Sequence, residues 1–333
     1  MVRFKFLVIN FLILVISISC SITKPKEHFL EGNVFGTSFH IVYEDLVTKE
    51  YSEQIDSLFH LINKSLSTYQ ATSDISEINK GDSSVLVDSY FKEVFEKSSR
   101  IYYETDGFFD PTIGILVNAW GFGPNGGVAN LEAETISKLL HFVGYDKVKL
   151  IEGRVVKNHP QIYLDFNAIA KGYGIDVVSR FLELKGVKNY MVEIGGEVRC
   201  RGVNGKGDLW KIGIEKPNFN GTRSLQQVVQ LRDESMATSG NYRKFKVDPI
   251  TGEKYVHTID TKTGYTAKRD LLSASVISSI DCADVDAYAT AFMAMGFEKT
   301  KQFLKKHPGL KVFLIYLDED GVTKSYVNFP LIE

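Results

Sequence analysis

One segment limits the fold more than any other. Cys282 to Gly296, CADVDAYATAFMAMG, is an almost wholly apolar run with helical character. A helix that is apolar around its whole circumference has no face to offer to solvent, so other elements must cover it. Within it, Asp286 and Thr290 lie four residues apart and therefore on one face. Burying a carboxylate is costly unless it is paired or bound to a cation. An all-oxygen pair suits a hard ion such as Mg²⁺ better than zinc. The same spacing also occurs in plain helix packing, and the pair alone leaves both readings open.

The start of the chain has the pattern of an export signal. Arg3 and Lys5 precede an apolar core from Phe6 to Ile18, too short to span a bilayer comfortably. Ser19 then precedes Cys20, as in a bacterial lipoprotein signal whose cysteine becomes the lipidated first residue. We therefore expect a signal peptide over 1–19, a lipidated tether over 20–27, and one domain over 28–333. The expected location is the cell envelope, anchored by lipid to a membrane on its extracytoplasmic side. An ordinary secretory signal cleaved nearby is the competing reading. The formal net charge of −2 gives no electrostatic reason to expect nucleic acid as a partner. After Cys20 only Cys200 and Cys282 remain, too few for a disulfide framework, although the two could pair.

Periodicity places a strand at Asn33–Tyr43 and helices at Lys49–Leu66, Tyr90–Thr105, Glu132–Val143 and Ala168–Lys185. Between the second and third of these helices, Phe108 to Asn130 is rich in glycine and aromatics and reads as a functional loop. A hairpin follows near VKLIEGRVVKN, then a strand at Ile162–Phe166. Strands dominate after Tyr190: Tyr190–Val203, Trp210–Glu215, Leu225–Leu231, Asn241–Val247, Tyr255–Ile259 and Leu272–Ser278. The apolar helix, a further helix at Glu298–Lys306 and a hairpin around Gly321 close the chain. Strands that arrive as neighbouring hairpins predict an α+β fold with largely antiparallel sheets and packed helices.

Several other segments have chemical potential. In Asp165-Phe166-Asn167-Ala168-Ile169-Ala170-Lys171-Gly172-Tyr173-Gly174 a helix opens near Asn167, and Lys171 stands in its first turn. Helix N-termini attract phosphate. Gly172 and Gly174 each cost a helix about 1 kcal/mol relative to alanine, so a close ligand or a close backbone must justify them. Helix–sheet packing with a solvent-facing lysine is the plainer alternative. His257, in His257-Thr258-Ile259-Asp260, is a candidate general base or a structural histidine. Phe109-Asp110-Pro111-Thr112 opens the glycine-rich loop, and Tyr69 ends the first helix as a stacking aromatic or a core residue.

Taken together, GTSFHIVYE, STYQATSDISEIN, GFFDPTIGILVNAWGFG, LDFNAIAKGYGID, EIGGEVRCRG, ATSGNYRKF, HTIDTKTG and DAYATAFMAMG resemble, in order, the motifs of the FAD:protein FMN transferases, the ApbE family. The resemblance covers nearly all of the chain after the signal. Thr261 stands where that family often has proline, and Phe35 where methionine is frequent. The resemblance implies a T-fold-like α+β protein with two lobes around a nucleotide cleft that binds FAD and Mg²⁺. It implies Asp286, Thr290 and the Ala168 carbonyl as metal ligands, and Tyr69, Phe108, Phe109, Asp110, Asp165, Lys171 and Asp260 as residues on or near FAD. Thr238 to Gly240 would shape the same cleft. His257 would take the proton of a threonine or serine hydroxyl that attacks FAD, forming FMN–protein and AMP. The expected acceptors are flavoprotein subunits of membrane redox complexes of the NADH:quinone or ferredoxin oxidoreductase type. A Mg²⁺-dependent FAD pyrophosphatase and a non-enzymatic flavin-binding lipoprotein are the alternatives.

Overall fold

The computed structural model describes residues 25–46, 50–124, 131–218, 222, 224–241, 245–247, 254–267 and 270–331. The expected signal peptide, Cys20 and most of the tether lie outside these residues. In chain order the elements are β1 (Lys26–Val34), β2 (Thr37–Asp45), α1 (Ser52–Leu66), α2 (Asp74–Lys80), α3 (Ser89–Glu104), α4 (Gly114–Ala119) and α5 (Ala133–Leu140). They continue with β3 (Val148–Ile151), β4 (Arg154–Lys157), α6 (Ala170–Leu184), β5 (Tyr190–Ile194), β6 (Glu197–Arg201), β7 (Trp210–Glu215) and β8 (Leu225–Leu231). The last are β9 (Glu234–Gly240), β10 (Phe245–Val247), β11 (Lys254–Val256), β12 (Leu271–Ser278), α7 (Cys282–Met295), α8 (Phe297–Leu304), β13 (Lys311–Leu317) and β14 (Thr323–Val327).

The fold is α+β around an eight-stranded sheet in the order β1-β2-β5-β6-β9-β12-β13-β14. Every neighbouring pair in it is antiparallel. Alternation along the strands divides the core, because successive side chains point to opposite faces. Tyr190, Val192 and Ile194 of β5 face the large cluster under the helices, as do Val312 and Leu314 of β13. Phe313 and Ile315 face a second cluster shared with Trp210, Ile214 and Leu231 of the β7–β8 hairpin. β12 is buried along its whole length because both faces are covered. A third, smaller cluster joins Leu116 and Trp120 to Ile136, Val143 and Ile259.

α7 is enclosed as its composition requires. Thirteen of its residues are buried, and it packs on β9, β12, α6 and α3. No helix among the described residues is long and apolar enough to cross a membrane. The first turn of α7 is held from α6: the Asp176 carboxylate accepts hydrogen bonds from the backbone N–H groups of Cys282 and Ala283, both at 2.8 Å. Asp281, just before the helix, binds Lys97, Arg180 and Arg199 at 2.8 Å each.

Some elements differ from expectation. Asn33–Tyr43 belongs to a hairpin, β1–β2, that turns at Phe35 and Gly36, both with positive φ. β1 starts at Lys26, within the stretch assigned to the tether. Tyr190–Val203 is likewise a hairpin, β5–β6, turning at Gly195 and Gly196. Ile162–Phe166 is not a strand; only Tyr163 bridges, in parallel, to Ile113. β9 and the short α2 and α4 carry too few apolar residues in period to be read from the sequence. Of the expected strand Asn241–Val247, the described part is Asn241 and β10. Cys200 and Cys282 are free, buried in clusters on opposite faces of the sheet.

Candidate active site

The N-terminus of α6 meets the first turn of α7 at contact distance. A Cβ at Gly172 would lie 2.4 Å from the Cys282 carbonyl oxygen and 2.7 Å from the Ala283 nitrogen. Gly172 is therefore explained by a neighbouring backbone, not by a ligand. Gly174 has another reason: a Cβ there would lie 2.6 Å from the ring of Phe35. That ring also meets Phe59 edge-on, at 5.6 Å between centroids.

This approach brings the backbone N–H of Gly172 to 3.1 Å from the Asp286 carboxylate, to which it donates. Asp286 is buried, and burial raises its pKa although the Lys171 charge opposes the shift. Lys171 does not face solvent freely; its Nζ pairs with Glu197 Oε2 at 2.5 Å. Burial alone would weaken that ammonium, but Glu197 and Asp286 outweigh it and its pKa is raised. Thr290, the one residue of α7 that is not fully buried, shares a 3.1 Å hydroxyl contact with Ser239 of β9. Ser239 lies in the Thr238–Gly240 segment expected to shape the cleft, whereas Glu197 is a partner that inspection of single motifs missed. The signal for Glu197 was present, because a glutamate beginning a strand after Gly195-Gly196 is buried with the sheet.

The donors here fit a hard cation. Asp286 and Thr290 are oxygen groups one helical turn apart, and Asp286 is a buried carboxylate with its pKa raised by desolvation. A divalent ion would offset that cost. Ala168 lies in the turn leading into α6, four residues before Gly172. Among the described residues there is no cluster of three or more His, Cys, Asp or Glu side chains suited to a metal. Such an ion would thus depend on hydroxyl, backbone or substrate oxygens as well.

The segment entering α6 is fixed on both sides. Asn79 of α2 clamps Leu164, donating to its carbonyl and accepting from its N–H at 2.8 Å each. The Asp165 N–H donates to the Pro111 carbonyl at 2.8 Å, and its carboxylate accepts from the Asn167 N–H at 2.7 Å. Burial raises the pKa of Asp165, partly offset by Asn167. Tyr69 is 64% exposed, so it is not a core residue. Burial and then the charge of Asp165 raise the pKa of its hydroxyl, which therefore lies within electrostatic reach of that carboxylate.

Phe108 and Phe109 are buried, and the Lys262 and Lys299 ammonium groups stand 5.5 and 4.6 Å from the Phe108 ring centroid. Asp110 folds its own turn, accepting from the Thr112 N–H and hydroxyl at 2.8 and 2.6 Å. Burial pushes its pKa up to about 6. Thr261 donates its hydroxyl to the Gly107 carbonyl at 2.6 Å. That bond ties the Asp260 turn to the Phe108 segment. Asp260 is buried and accepts from the Lys262 N–H at 2.9 Å. His257 follows β11 half-buried, with its ring 6.5 Å from that of Phe122. The structure therefore makes two groups, Lys171–Glu197–Asp286–Thr290 and Phe108–Asp110 with Asp260, and joins them through Asp165 and Pro111.

Known proteins share this sequence pattern and fold. Residues 35–314 match the family described as the ApbE family. The chain is 33% identical to a Haemophilus influenzae protein named FAD:protein FMN transferase, with 94% of each chain covered. It is 34% identical to one of the same name from Vibrio cholerae, with 92% of each covered. Among solved structures, the flavin transferase ApbE from Vibrio cholerae superposes with a TM-score of 0.80 at 32% identity, covering 91% of this chain and 97% of that one. The ApbE protein of Thermotoga maritima gives 0.77 at 28% identity, covering 90% and 96%. By its sequence and its fold, this chain belongs to the ApbE family.

Proposed function

We propose that the protein transfers FMN from FAD to a threonine or serine hydroxyl of an envelope flavoprotein subunit, with Mg²⁺ as cofactor and AMP as leaving product. The observation that carries this reading is the buried Asp286 carboxylate, one helical turn from Thr290 and hydrogen-bonded to the first turn of α6, in a chain whose relatives bear the name FAD:protein FMN transferase. The acceptor oxygen forms a bond to the FMN phosphorus as the bond from that phosphorus to the AMP oxygen breaks. The acceptor proton passes to a ring nitrogen of His257, and AMP departs as a phosphate monoester. Asp286, Thr290 and the Ala168 carbonyl would hold Mg²⁺, which would supply positive charge to offset that of the pyrophosphate oxygens. Lys171, in the first turn of α6, adds positive charge beside them. Exposed Tyr69 offers a face for the flavin ring beside Asp165. Phe108, Phe109 and Asp110, with Asp260, complete the nucleotide contacts.

In this reading the mature protein is held to an envelope membrane through lipid on Cys20, where flavoprotein subunits of NADH:quinone or ferredoxin oxidoreductases expose their acceptor hydroxyls. The deciding experiment incubates the protein with FAD, Mg²⁺ and such a purified subunit. A fluorescent acceptor band in a denaturing gel, with one AMP released per label, is the expected result. FMN appearing free in solution, with no labelled acceptor, overturns transfer in favour of hydrolysis.

A further inference from the structure

The turn Glu193-Ile194-Gly195-Gly196-Glu197, between β5 and β6, takes no part in the steps above, yet it stands against the start of α6. It is pinned to β2 at two points. The Gly195 N–H donates to the Ser38 carbonyl at 3.0 Å. The Glu193 carboxylate accepts from the Gly196 N–H at 2.6 Å and meets His40 Nδ1 at 2.7 Å. Gly195 has positive φ, and it also clears a space. A Cβ there would lie 2.8 Å from Thr37 Cγ2 and 3.4 Å from Lys171 Cδ. The stem of Lys171 therefore runs past bare backbone to the first residue of β6. That residue is Glu197, 4% exposed, with Oε2 at 2.5 Å from the ammonium.

Lys171 has a second carboxylate nearby. It directly precedes Gly172, whose N–H donates to Asp286 Oδ2 at 3.1 Å. The charges of Lys171 and Glu197 both act on Asp286. Among the described residues, however, the ion pair that Lys171 forms is with Glu197 and not with Asp286. The choice matters for a metal. Asp286 Oδ2 is already engaged by Gly172, so an ammonium on Oδ1 would occupy the oxygen that Mg²⁺ needs. It would also set a second positive charge against the ion. A half-buried ammonium that loses its carboxylate turns to the next one, because a charge left unpaired there is costly.

We infer that the β5–β6 turn is a holder for Lys171, in which Glu197 is the positioning residue that keeps the ammonium off Asp286 and leaves that carboxylate open to Mg²⁺. This rests on the proposed reading of Asp286 as a metal ligand. It gives Glu197 a task although Glu197 itself touches neither metal nor substrate.

The test uses the full-length protein with its Glu197→Gln and Glu197→Gln/Lys171→Met variants. Glutamine keeps the shape of the side chain and removes its charge. In a crystal structure of Glu197→Gln without added metal, we expect Lys171 Nζ to have moved to the Asp286 carboxylate. Calorimetric titration with MgCl₂ at saturating FAD should give a dissociation constant weakened about 10- to 100-fold, the range for outer partners of a metal site. The double variant has no ammonium to compete and should return to within about threefold of wild type. An ammonium that stays beside residue 197 overturns the inference. So does a Mg²⁺ affinity in Glu197→Gln within about twofold of wild type. Equal weakening in the single and double variants overturns it as well, because Glu197 would then act through its own charge or through the fold. Failure of Glu197→Gln to fold also counts against it, since the inference gives the ammonium a second partner. Wild-type protein that takes up no Mg²⁺ with FAD bound would instead refute the metal reading, and this inference with it.

Discussion

Gly172 sets the spacing of the candidate site. With a Cβ only 2.4 Å from a backbone oxygen of α7, Gly172→Ala must push two buried helices apart. Overpacking of this kind costs about 1–3 kcal/mol. It also stretches the bond from the Gly172 N–H to Asp286, so activity should fall more than stability, which urea unfolding and flavin-transfer assays on one preparation would separate. Asp286→Asn makes the opposite experiment: it keeps an acceptor for that N–H and removes the charge. We expect Mg²⁺-dependent turnover to drop on the order of 100-fold, with little loss of stability because an expensive buried carboxylate is gone. Full turnover in that variant would remove Asp286 from the metal site. His257→Ala should slow transfer by about 100- to 10,000-fold, the range for a general base, while the FAD dissociation constant changes only a few-fold. Equal losses in both would make His257 structural.

At the scale of elements, α7 depends on its N-terminal ion network. Burial alone would raise the pKa of Asp281, but Lys97, Arg180 and Arg199 outweigh it and hold the carboxylate well below its usual range. A depressed folded pKa stabilises at pH values above the unfolded pKa near 4, and the contribution is lost as pH falls through the folded value. Asp176 acts oppositely. Burial, the largest cause, lifts its pKa to about 6, so its ionisation works against the fold as pH rises from about 4 to 6. Asp281→Asn should therefore cost about 2 kcal/mol at neutral pH, and the difference from wild type should close as pH falls from 4 toward 2. Urea midpoints measured across that range check it; a difference independent of pH would mean that the carboxylate charge contributes nothing. The same helix shows what a sequence can disclose. Its range was legible almost to the residue, because an all-apolar run has only one physical interpretation. β9 was not legible: Glu234–Gly240 consists mostly of small residues, which make sense only once α7 is seen lying on it. Lys171 shows the same limit, since its sequence position suggested a phosphate ligand but not its pairing with Glu197, which a hairpin turn brings from the next strand.

At the scale of the molecule, the small cluster of α4, α5 and the Ile259 region is joined to the sheet-and-helix body by a few directional contacts. They include Asp165 N–H to Pro111, the Ile113–Tyr163 bridge, and the Thr261 hydroxyl to the Gly107 carbonyl. Within the smaller part, Trp120 Nε1 donates to the Gly264 carbonyl at 2.9 Å and keeps the Asp260 turn in place. Elements linked by few buried contacts open at lower free energy than a core strand, whereas β12 and β13 are buried between two clusters. A nucleotide that touches both parts stabilises the state in which they are joined, by mass action. Amide hydrogen exchange on the full-length protein should therefore show FAD with Mg²⁺ slowing exchange across 107–113, 163–172 and 257–266. Exchange in Leu271–Ser278 and Lys311–Leu317 should be slow from the start and little altered. Protection confined to one of the three segments would mean that the nucleotide occupies one part only, and that the link through Asp165 and Pro111 is architecture rather than part of the binding site.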